Sequence, residues 1–212
     1  MKDEYYKNRL ENYGMGHVRR SRILGFVEGK DLRVLDVGCG TGSLGEHIKK
    51  RGNWVGGVEL SDQAGKTARE RLDALWQFDI EGVWPTDLQT HDMDIVIMAE
   101  VLEHVFDPVT VLKNAREALK PSGRLIITTP NFMNWQNRLK FLFGQFEYQH
   151  EGMFDFGHIR WFTHAYLKKV LADSGFVLEQ EANIIYPGRL TSLLKRWPSL
   201  FARQFVVQAK LS

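Results

Sequence analysis

The stretch EVLEH, Glu100–His104, contains two carboxylates and an imidazole within five residues. It follows the apolar run DIVI, which is typical of a buried strand. If the stretch forms a helical turn, Glu100, Glu103 and His104 share one face, because residues three and four apart are neighbours on a helix. Two carboxylates this close repel each other, and a divalent cation relieves the repulsion. Two oxygens and one nitrogen suit Mn²⁺, Mg²⁺, Co²⁺ or Zn²⁺, with the nitrogen disfavouring Mg²⁺.

A second group of residues is the loop VLDVGCGTG, which has glycine at every second position. Such glycines let the backbone approach a ligand without interference from side chains. Ser43 stands where a dinucleotide-binding loop has its third glycine, which argues against an oxidoreductase with an NAD-type cofactor. Asp36 precedes the loop, and its carboxylate would repel a pyrophosphate, so the loop predicts a ligand with a cationic amino-acid tail. The three glycines are Gly38, Gly40 and Gly42.

Two further acids and a cysteine complete this candidate cofactor site. Glu59 ends the second predicted strand, where an acidic residue can accept hydrogen bonds from both hydroxyls of a ribose. Asp79 follows a third predicted strand and could meet the amino group of an adenine. Cys39, the chain's only cysteine, lies inside the glycine loop and is interpreted as a small packing residue rather than a nucleophile.

The elements that must position these residues alternate between strand and helix. Helices are predicted after Ser61, Asp107 and Thr163, because these side chains are good N-caps. The alternation predicts an α/β fold with a mostly parallel sheet and helices on both faces. VLEQEANIIY and RQFVVQAKL are predicted to be the last two strands, paired as an antiparallel edge. The 212 residues are consistent with one domain.

Composition narrows the class of protein. The formal net charge is +2, which gives no global electrostatic basis for binding nucleic acid. A single cysteine precludes an intrachain disulfide and indicates a reducing compartment. The beginning of the chain has no apolar signal core, and no stretch approaches the ~20 apolar residues of a membrane span. These features predict a cytoplasmic protein.

Three segments fall outside the alternating pattern. Residues 131–162, rich in aromatic residues, interrupt the expected return from the fifth strand, and such insertions often serve as a lid or a substrate wall. This insertion and RLTSLLKRW, 189–197, carry apolar stripes flanked by cations. Packing against the domain or a second copy, a lid over an apolar acceptor, and peripheral contact with a membrane are the alternatives. Residues 1–30 are predicted to form a helical cover. Tyr6 and Arg19 could reach the carboxylate end of the ligand, and a solvated charged helix without such contacts is the alternative.

The motifs VLDVGCGTG, Glu59, FDI and LKPSGRLIITTP together resemble the class I S-adenosylmethionine-dependent methyltransferases. The resemblance spans roughly residues 32–186 and implies a Rossmann-like sheet of seven strands, the last antiparallel. It implies methyl transfer from S-adenosylmethionine to a hydroxyl of a small-molecule or lipid-linked acceptor. A cofactor-binding regulatory protein without turnover is the alternative from another class. The residues implied to bind the cofactor are Asp36, Gly38, Cys39, Gly40, Gly42, Glu59, Leu60, Asp79, Ile80, Ala99 and Glu100.

The Glu-x-x-Glu-His pattern of EVLEH is similar to one found in two methyltransferase groups, those of ubiquinone biosynthesis and those acting on the terminal 2′-hydroxyl of small RNAs. The second group implies a divalent metal, Mn²⁺ or Mg²⁺, held by Glu100, Glu103 and His104 together with a histidine after the fifth strand. His158 is the candidate for that histidine, with His150 as the alternative. In other class I members the same residues hold no metal, and His104 is then a candidate general base.

Overall fold

The computed structural model describes residues 16–150, 152–185 and 191–212. Tyr6, which is predicted to contact the carboxylate of the cofactor, lies outside these residues. The strands are β1 (Arg33–Val37), β2 (Trp54–Val58), β3 (Ala74–Trp76), β4 (Met93–Ala99), β5 (Leu119–Pro130), β6 (Phe176–Glu181), β7 (Ile184–Ile185) and β8 (Ala202–Leu211). The α-helices are α1 (His17–Phe26), α2 (Ser43–Lys49), α3 (Asp62–Arg71), α4 (Pro108–Ala118), α5 (Trp135–Leu142), α6 (His164–Asp173), α7 (Thr191–Leu194) and α8 (Pro198–Phe201).

The described strands form one sheet in the order β3-β2-β1-β4-β5-β8-β6, with β7 also paired to β8. The first five strands are parallel, and β8 is antiparallel to its neighbours β5 and β6. The α/β fold with a mostly parallel sheet and an antiparallel last strand is therefore confirmed. The predicted antiparallel pairing of the last two strand segments is also confirmed, with β8 between β5 and β6. One detail differs from the prediction: the sheet has eight strands, because the sixth is interrupted at Ala182 and Asn183.

The predicted helix starts are present in the structure. The Ser61 hydroxyl accepts the Ala64 backbone N–H, and Thr163 does the same for Tyr166. Asp107 caps α4, whose first residue is proline. Each cap satisfies a backbone N–H that the helix itself leaves without a partner, which fixes where the helix begins.

The core lies on both faces of the sheet, as expected for strands covered by helices on each side. Alternate residues of β4 point to opposite faces. Val96 and Met98 pack in the cluster that includes residues of α4 and α6, whereas Ile95 and Ile97 pack in the cluster that includes residues of α1, α2 and α3. Among the described residues, none of the helices has the length and apolar character needed to cross a bilayer.

Candidate functional site

The glycine loop connects the carboxyl end of β1 to α2. All three of its glycines have positive φ, 71° at Gly38, 56° at Gly40 and 75° at Gly42. The backbone N–H groups of Gly38 and Cys39 both donate to the carbonyl of Val58, at 2.8 and 3.0 Å. These bonds hold the loop against the end of β2, at the edge of the sheet where α/β proteins bind ligands.

Glu59 joins the two neighbouring loops of this edge. Its Oε2 accepts the N–H of Gly40 at 2.8 Å, and its Oε1 accepts the N–H of Ser61 at 2.8 Å. Each carboxylate oxygen has more than one acceptor direction, so both can also accept from a ligand hydroxyl. The geometry is compatible with the ribose contact expected from the sequence.

Asp36, at the base of the loop, is only 2% exposed, and its Oδ2 has no hydrogen-bond partner among the described residues. Burial, followed by the charge of Glu59, raises the pKa of Asp36 to about 7. A buried acid without a cationic partner is unfavourable unless it is protonated or a cation binds beside it. The surroundings of Asp36 are thus suited to a positively charged ligand group.

Cys39 has little access to solvent, with 9% of the residue exposed. Burial raises the pKa of its thiol, and the charges of Asp36 and Glu59 raise it further. A protonated, buried thiol is a poor nucleophile, in agreement with a packing role.

The remaining predicted cofactor residues lie near the ends of β2, β3 and β4. Leu60 is 57% exposed and follows Glu59 directly. Asp79 is exposed, and its Oδ1 accepts the backbone N–H of Glu81 at 3.0 Å, so its observed role is to cap a turn. Ile80 and Ala99 are half-buried. Contact between these four residues and a cofactor stays a prediction.

Glu103, His104 and His158 form a cluster whose potential ligand atoms all lie within 4.8 Å of one another. The backbone creates this proximity, because the carbonyl of Glu103 accepts the N–H groups of Ile159 and Arg160, at 2.9 and 3.0 Å. These bonds fix the loop that carries His158 against the short 3₁₀ helix Leu102–His104. The alternative, His150, is exposed and is not part of this cluster.

Both histidines of the cluster use Nδ1 to contact a backbone carbonyl. His104 Nδ1 lies 2.8 Å from the oxygen of Gly157, and His158 Nδ1 lies 3.0 Å from the oxygen of Met153. A carbonyl can only accept, so Nδ1 must carry the hydrogen in both rings. In the neutral rings the lone pair then resides on Nε2, which is how metal-binding histidines are commonly oriented.

Glu103 is 1% exposed, and neither of its carboxylate oxygens has a hydrogen-bond partner among the described residues. Burial, and then the charge of Glu100, raise its pKa well above the ordinary value. The nearby Thr129 hydroxyl and the charge of Arg19 oppose this rise in pKa, although Thr129 makes no hydrogen bond of normal geometry. The two buried carboxylate oxygens of Glu103 and the imidazoles of His104 and His158 together form a donor set that fits a divalent cation such as Mn²⁺.

Glu100 is placed differently from the sequence prediction. The helical turn covers only Leu102–His104, and Glu100 precedes it with φ of 59°. Its carboxylate therefore does not share a face with Glu103 and His104. It accepts instead from Arg19 Nη1 at 3.0 Å and from the Thr128 hydroxyl at 2.9 Å. Arg19 therefore neutralises Glu100, whose charge still lies near enough to raise the pKa of Glu103.

A cavity of about 10 Å³, room for a single water molecule, lies beside the cluster on the side of the aromatic insertion. Phe132 and Trp161 stack at 4.1 Å between ring centroids and form part of its wall. The sequence patterns do not identify Arg160 and Trp161, which lie two and three positions after His158. The cavity is lined by Glu103, Pro130, Phe132, Met153, His158, Arg160, Trp161 and Phe162.

Comparison with known proteins agrees with this geometry. A family model described as a methyltransferase domain matches residues 11–181. A ubiquinone biosynthesis O-methyltransferase of Idiomarina loihiensis is 39% identical over 117 residues, which cover 51% of this chain and 48% of the relative. The chain thus spans about half the length of the curated relatives it matches.

Solved structures resemble the whole chain. A SAM-dependent methyltransferase from Archaeoglobus fulgidus aligns with a TM-score of 0.67 at 20% identity, covering 97% of this chain and 99% of that one. Magnesium protoporphyrin IX methyltransferase from Synechocystis, solved with bound SAH, aligns with a TM-score of 0.66 at 18% identity, covering 98% and 93%. At these identities the likeness establishes the fold.

Proposed function

Because the chain belongs to the methyltransferase domain family, we propose that it transfers a methyl group from S-adenosylmethionine to a hydroxyl of a small-molecule or lipid-linked acceptor. The observation that carries this proposal is the pairing of Asp36 and Glu59 around the glycine loop. Asp36 offers a buried negative charge for a cationic amino-acid tail, and Glu59 offers acceptors for ribose hydroxyls. The names of the relatives support oxygen as the methyl acceptor.

The finer proposal is that Glu103, His104 and His158 hold a divalent metal, Mn²⁺ or Mg²⁺, on the side of the site proposed for the acceptor. Two observations support it. Neither carboxylate oxygen of Glu103 has a hydrogen-bond partner among the described residues. The carbonyls of Gly157 and Met153 fix the hydrogen of His104 and His158 on Nδ1, which leaves Nε2 as the donor atom for a metal. A bound cation of this kind lowers the pKa of a coordinated hydroxyl and so makes its oxygen a better nucleophile. Glu100, held by Arg19, contacts the cofactor side of the site in this proposal, and it joins the metal only if that ion pair opens.

The chain's own residues then have distinct tasks. Asp36, Glu59 and the loop glycines orient the methyl donor, while Phe132 and Trp161 exclude water from the acceptor side. Alignment of the two reactants alone can supply up to ~7–11 kcal/mol in favourable cases. If no metal binds, Nε2 of His104 is the atom that would take the acceptor's proton, because Nδ1 already donates to Gly157.

The experiment that tests the proposal combines binding and turnover. Isothermal titration should show binding of S-adenosylhomocysteine and none of NAD. Transfer of a labelled methyl group is then measured to phenols and alcohols with and without a long apolar chain, and to short RNAs with free terminal hydroxyls. Binding of NAD alone would overturn the proposal, and cofactor binding without transfer to any acceptor would favour the regulatory alternative.

The metal is tested separately on the same preparation. EDTA should abolish methyl transfer, and added Mn²⁺ or Mg²⁺ should restore it. Full activity in the presence of the chelator would leave the methyltransferase assignment intact and would assign the proton to His104.

A further inference from the structure

The helix α5 and the residues after it expose an unusual amount of apolar surface. Five large side chains within twelve residues are exposed, and the two at the end of the helix, Leu142 and Phe143, are 75% and 74% exposed. On α5 the apolar positions recur at the spacing of one helical face. The insertion face, as defined here, consists of Trp135, Leu139, Leu142, Phe143 and Phe146.

A second apolar segment leaves the sheet at the same corner. Leu193 and Trp197, in α7 and just before α8, are 46% and 51% exposed. The two segments are joined at their base by Asn131, whose side-chain amide donates to the carbonyl oxygens of Ser199 and Ala202, at 3.2 and 2.8 Å. The pairing of Pro130 with Gln204 brings the end of β5 and the start of β8 together.

The charged side chains within these two segments are all basic, and the exposed Glu147 directly follows the first segment. Residues 132–146 and 182–212 contain no aspartate or glutamate, although the chain has 26. Four exposed cations flank the apolar side chains, and within the described residues no salt bridge involves any of them. In contrast, Lys50 and Lys169 on the helices α2 and α6 have carboxylate partners. The four cations are Arg138, Lys140, Lys195 and Arg196.

We propose that this corner, the insertion face together with Leu193 and Trp197, docks on the surface of a bilayer that contains anionic lipids. Apolar and aromatic side chains flanked by lysines and arginines are typical of interfacial helices, which bury one face at the level of the headgroups. Tryptophan is favoured at that depth because its ring is amphipathic. Unpaired lysines and arginines are attracted to the negative potential of such a membrane.

Two other occupants fit the charges less well. A second copy of this chain, placed on the corner symmetrically, would bring like cations together without acids to neutralise them. A protein partner would need an acidic rim around an apolar groove. An anionic bilayer provides partners for both the apolar and the cationic side chains. The corner also lies next to the side of the site proposed for the acceptor, because Phe132, which lines the cavity there, contacts Phe141 of α5 at 5.1 Å between ring centroids.

The test is co-sedimentation of the full chain with vesicles of phosphatidylcholine, with and without phosphatidylglycerol. We expect binding only to the anionic vesicles, weakened by added salt. The double substitution Leu142→Ser with Phe143→Ser should lower the partition coefficient by at least about tenfold, because two exposed apolar side chains no longer enter the lipid. Lys140→Glu and Lys195→Glu should each lower it about fivefold or more.

Matched controls come from outside the corner. Val83, 92% exposed in a loop near β3, provides Val83→Ser as an apolar control, and Lys66 on α3 provides Lys66→Glu as a charge control. Neither should change binding. Equal binding to neutral vesicles, no vesicle binding, or unchanged binding of the corner variants would overturn the proposal. A dimer in sedimentation velocity that the corner variants dissociate, without lipid binding, would assign the surface to a second copy.

The corner is independent of the proposed chemistry, and the two can fail separately. Titration with S-adenosylhomocysteine in vesicle-free solution should give the same affinity for the wild-type chain and the Leu142→Ser, Phe143→Ser variant. Circular dichroism of the variant confirms that it is folded, as expected for two side chains that are mostly in solvent.

Discussion

Arg19 in α1 places its Nη1 3.0 Å from Oε2 of Glu100, at the carboxyl end of β4. The two side chains are only 21% and 15% exposed. This ion pair ties the leading helix to the edge of the sheet on which both proposed sites lie. It also supplies a positive charge beside Glu100 and Glu103, the two acids that the chain places close together.

Removal of this charge should destabilise the protein. We expect Arg19→Met to lower the free energy of unfolding by about 1–3 kcal/mol, between the values for exposed and fully buried pairs. Urea denaturation without metal measures the effect. Lys169→Met, which breaks an exposed pair with Asp173 on α6, is the control and should have no measurable effect. An equal response of both variants would mean that the Arg19 pair is merely a surface contact.

Glu103→Gln should separate metal binding from stability. The substitution keeps the shape of the side chain and removes a buried charge that has no hydrogen-bond partner. We expect the affinity for Mn²⁺, measured by titration calorimetry, to fall by about 100-fold, with no loss of the free energy of unfolding in the metal-free protein. Glu147→Gln, an exposed position in the insertion, is the control. Undiminished Mn²⁺ binding by Glu103→Gln would exclude this cluster as the site.

The pKa of Asp36 predicts a specific dependence of stability on pH. Its folded-state pKa, about 7, is raised above the unfolded value of 3.8, so the folded protein binds more protons between these two values. Protonation of Asp36 therefore stabilises the folded protein fully below pH 4, and this stabilisation is lost as the pH rises through 7. Relative to Asp36→Asn, the wild-type chain should therefore lose about 2–3 kcal/mol between pH 5 and pH 8.

The measurement is urea denaturation of both proteins across that range, without ligand. Parallel curves for the two proteins would show that Asp36 titrates normally. Saturating S-adenosylmethionine should reduce the difference, since its cationic tail stabilises the ionised carboxylate in the proposed complex.

Glu59→Ala should act mainly on the cofactor. The substitution removes the acceptor of the Gly40 and Ser61 N–H groups and the proposed acceptor of the ribose hydroxyls. We expect the affinity for S-adenosylhomocysteine to fall by about 100-fold or more, since charged acceptors contribute about 1.5–3 kcal/mol each. Titration calorimetry measures it, with the exposed Glu70→Ala on α3 as control. An affinity unchanged from wild type would remove the ribose role of Glu59.

Two glycines should respond in opposite directions to alanine. At Gly38, φ is 71° and a Cβ would lie 2.8 Å from Cγ2 of Val101, so Gly38→Ala should lower the free energy of unfolding by about 2 kcal/mol or more. Gly25, inside α1, has no atom within 4 Å of the added carbon, and Gly25→Ala should raise that free energy by about 0.5 kcal/mol. Thermal unfolding of both variants tests this, and a tolerated Gly38→Ala would show that the loop can relax.

The sequence by itself determined the local features of this protein. The caps Ser61, Asp107 and Thr163 are in the structure as predicted, because a side chain that satisfies a backbone N–H two or three residues away depends on nothing distant. The glycine loop and the parallel order of the first five strands follow from the same kind of short-range pattern. Family membership rests on these motifs.

The tertiary structure decided what depends on contacts between distant residues. Glu100 pairs with Arg19, 81 positions earlier (100 minus 19), and is not part of the cluster of Glu103, His104 and His158. His158 joined the cluster because the carbonyl of Glu103 accepts two N–H groups from its loop. The last strand lies between β5 and β6, and because it has ten residues against six for β6, this interior position pairs more backbone than the reverse order would. The resemblance proposed His158, but the contacts that hold it and the other relationships have no fixed spacing along the chain, so the residues alone could not specify them.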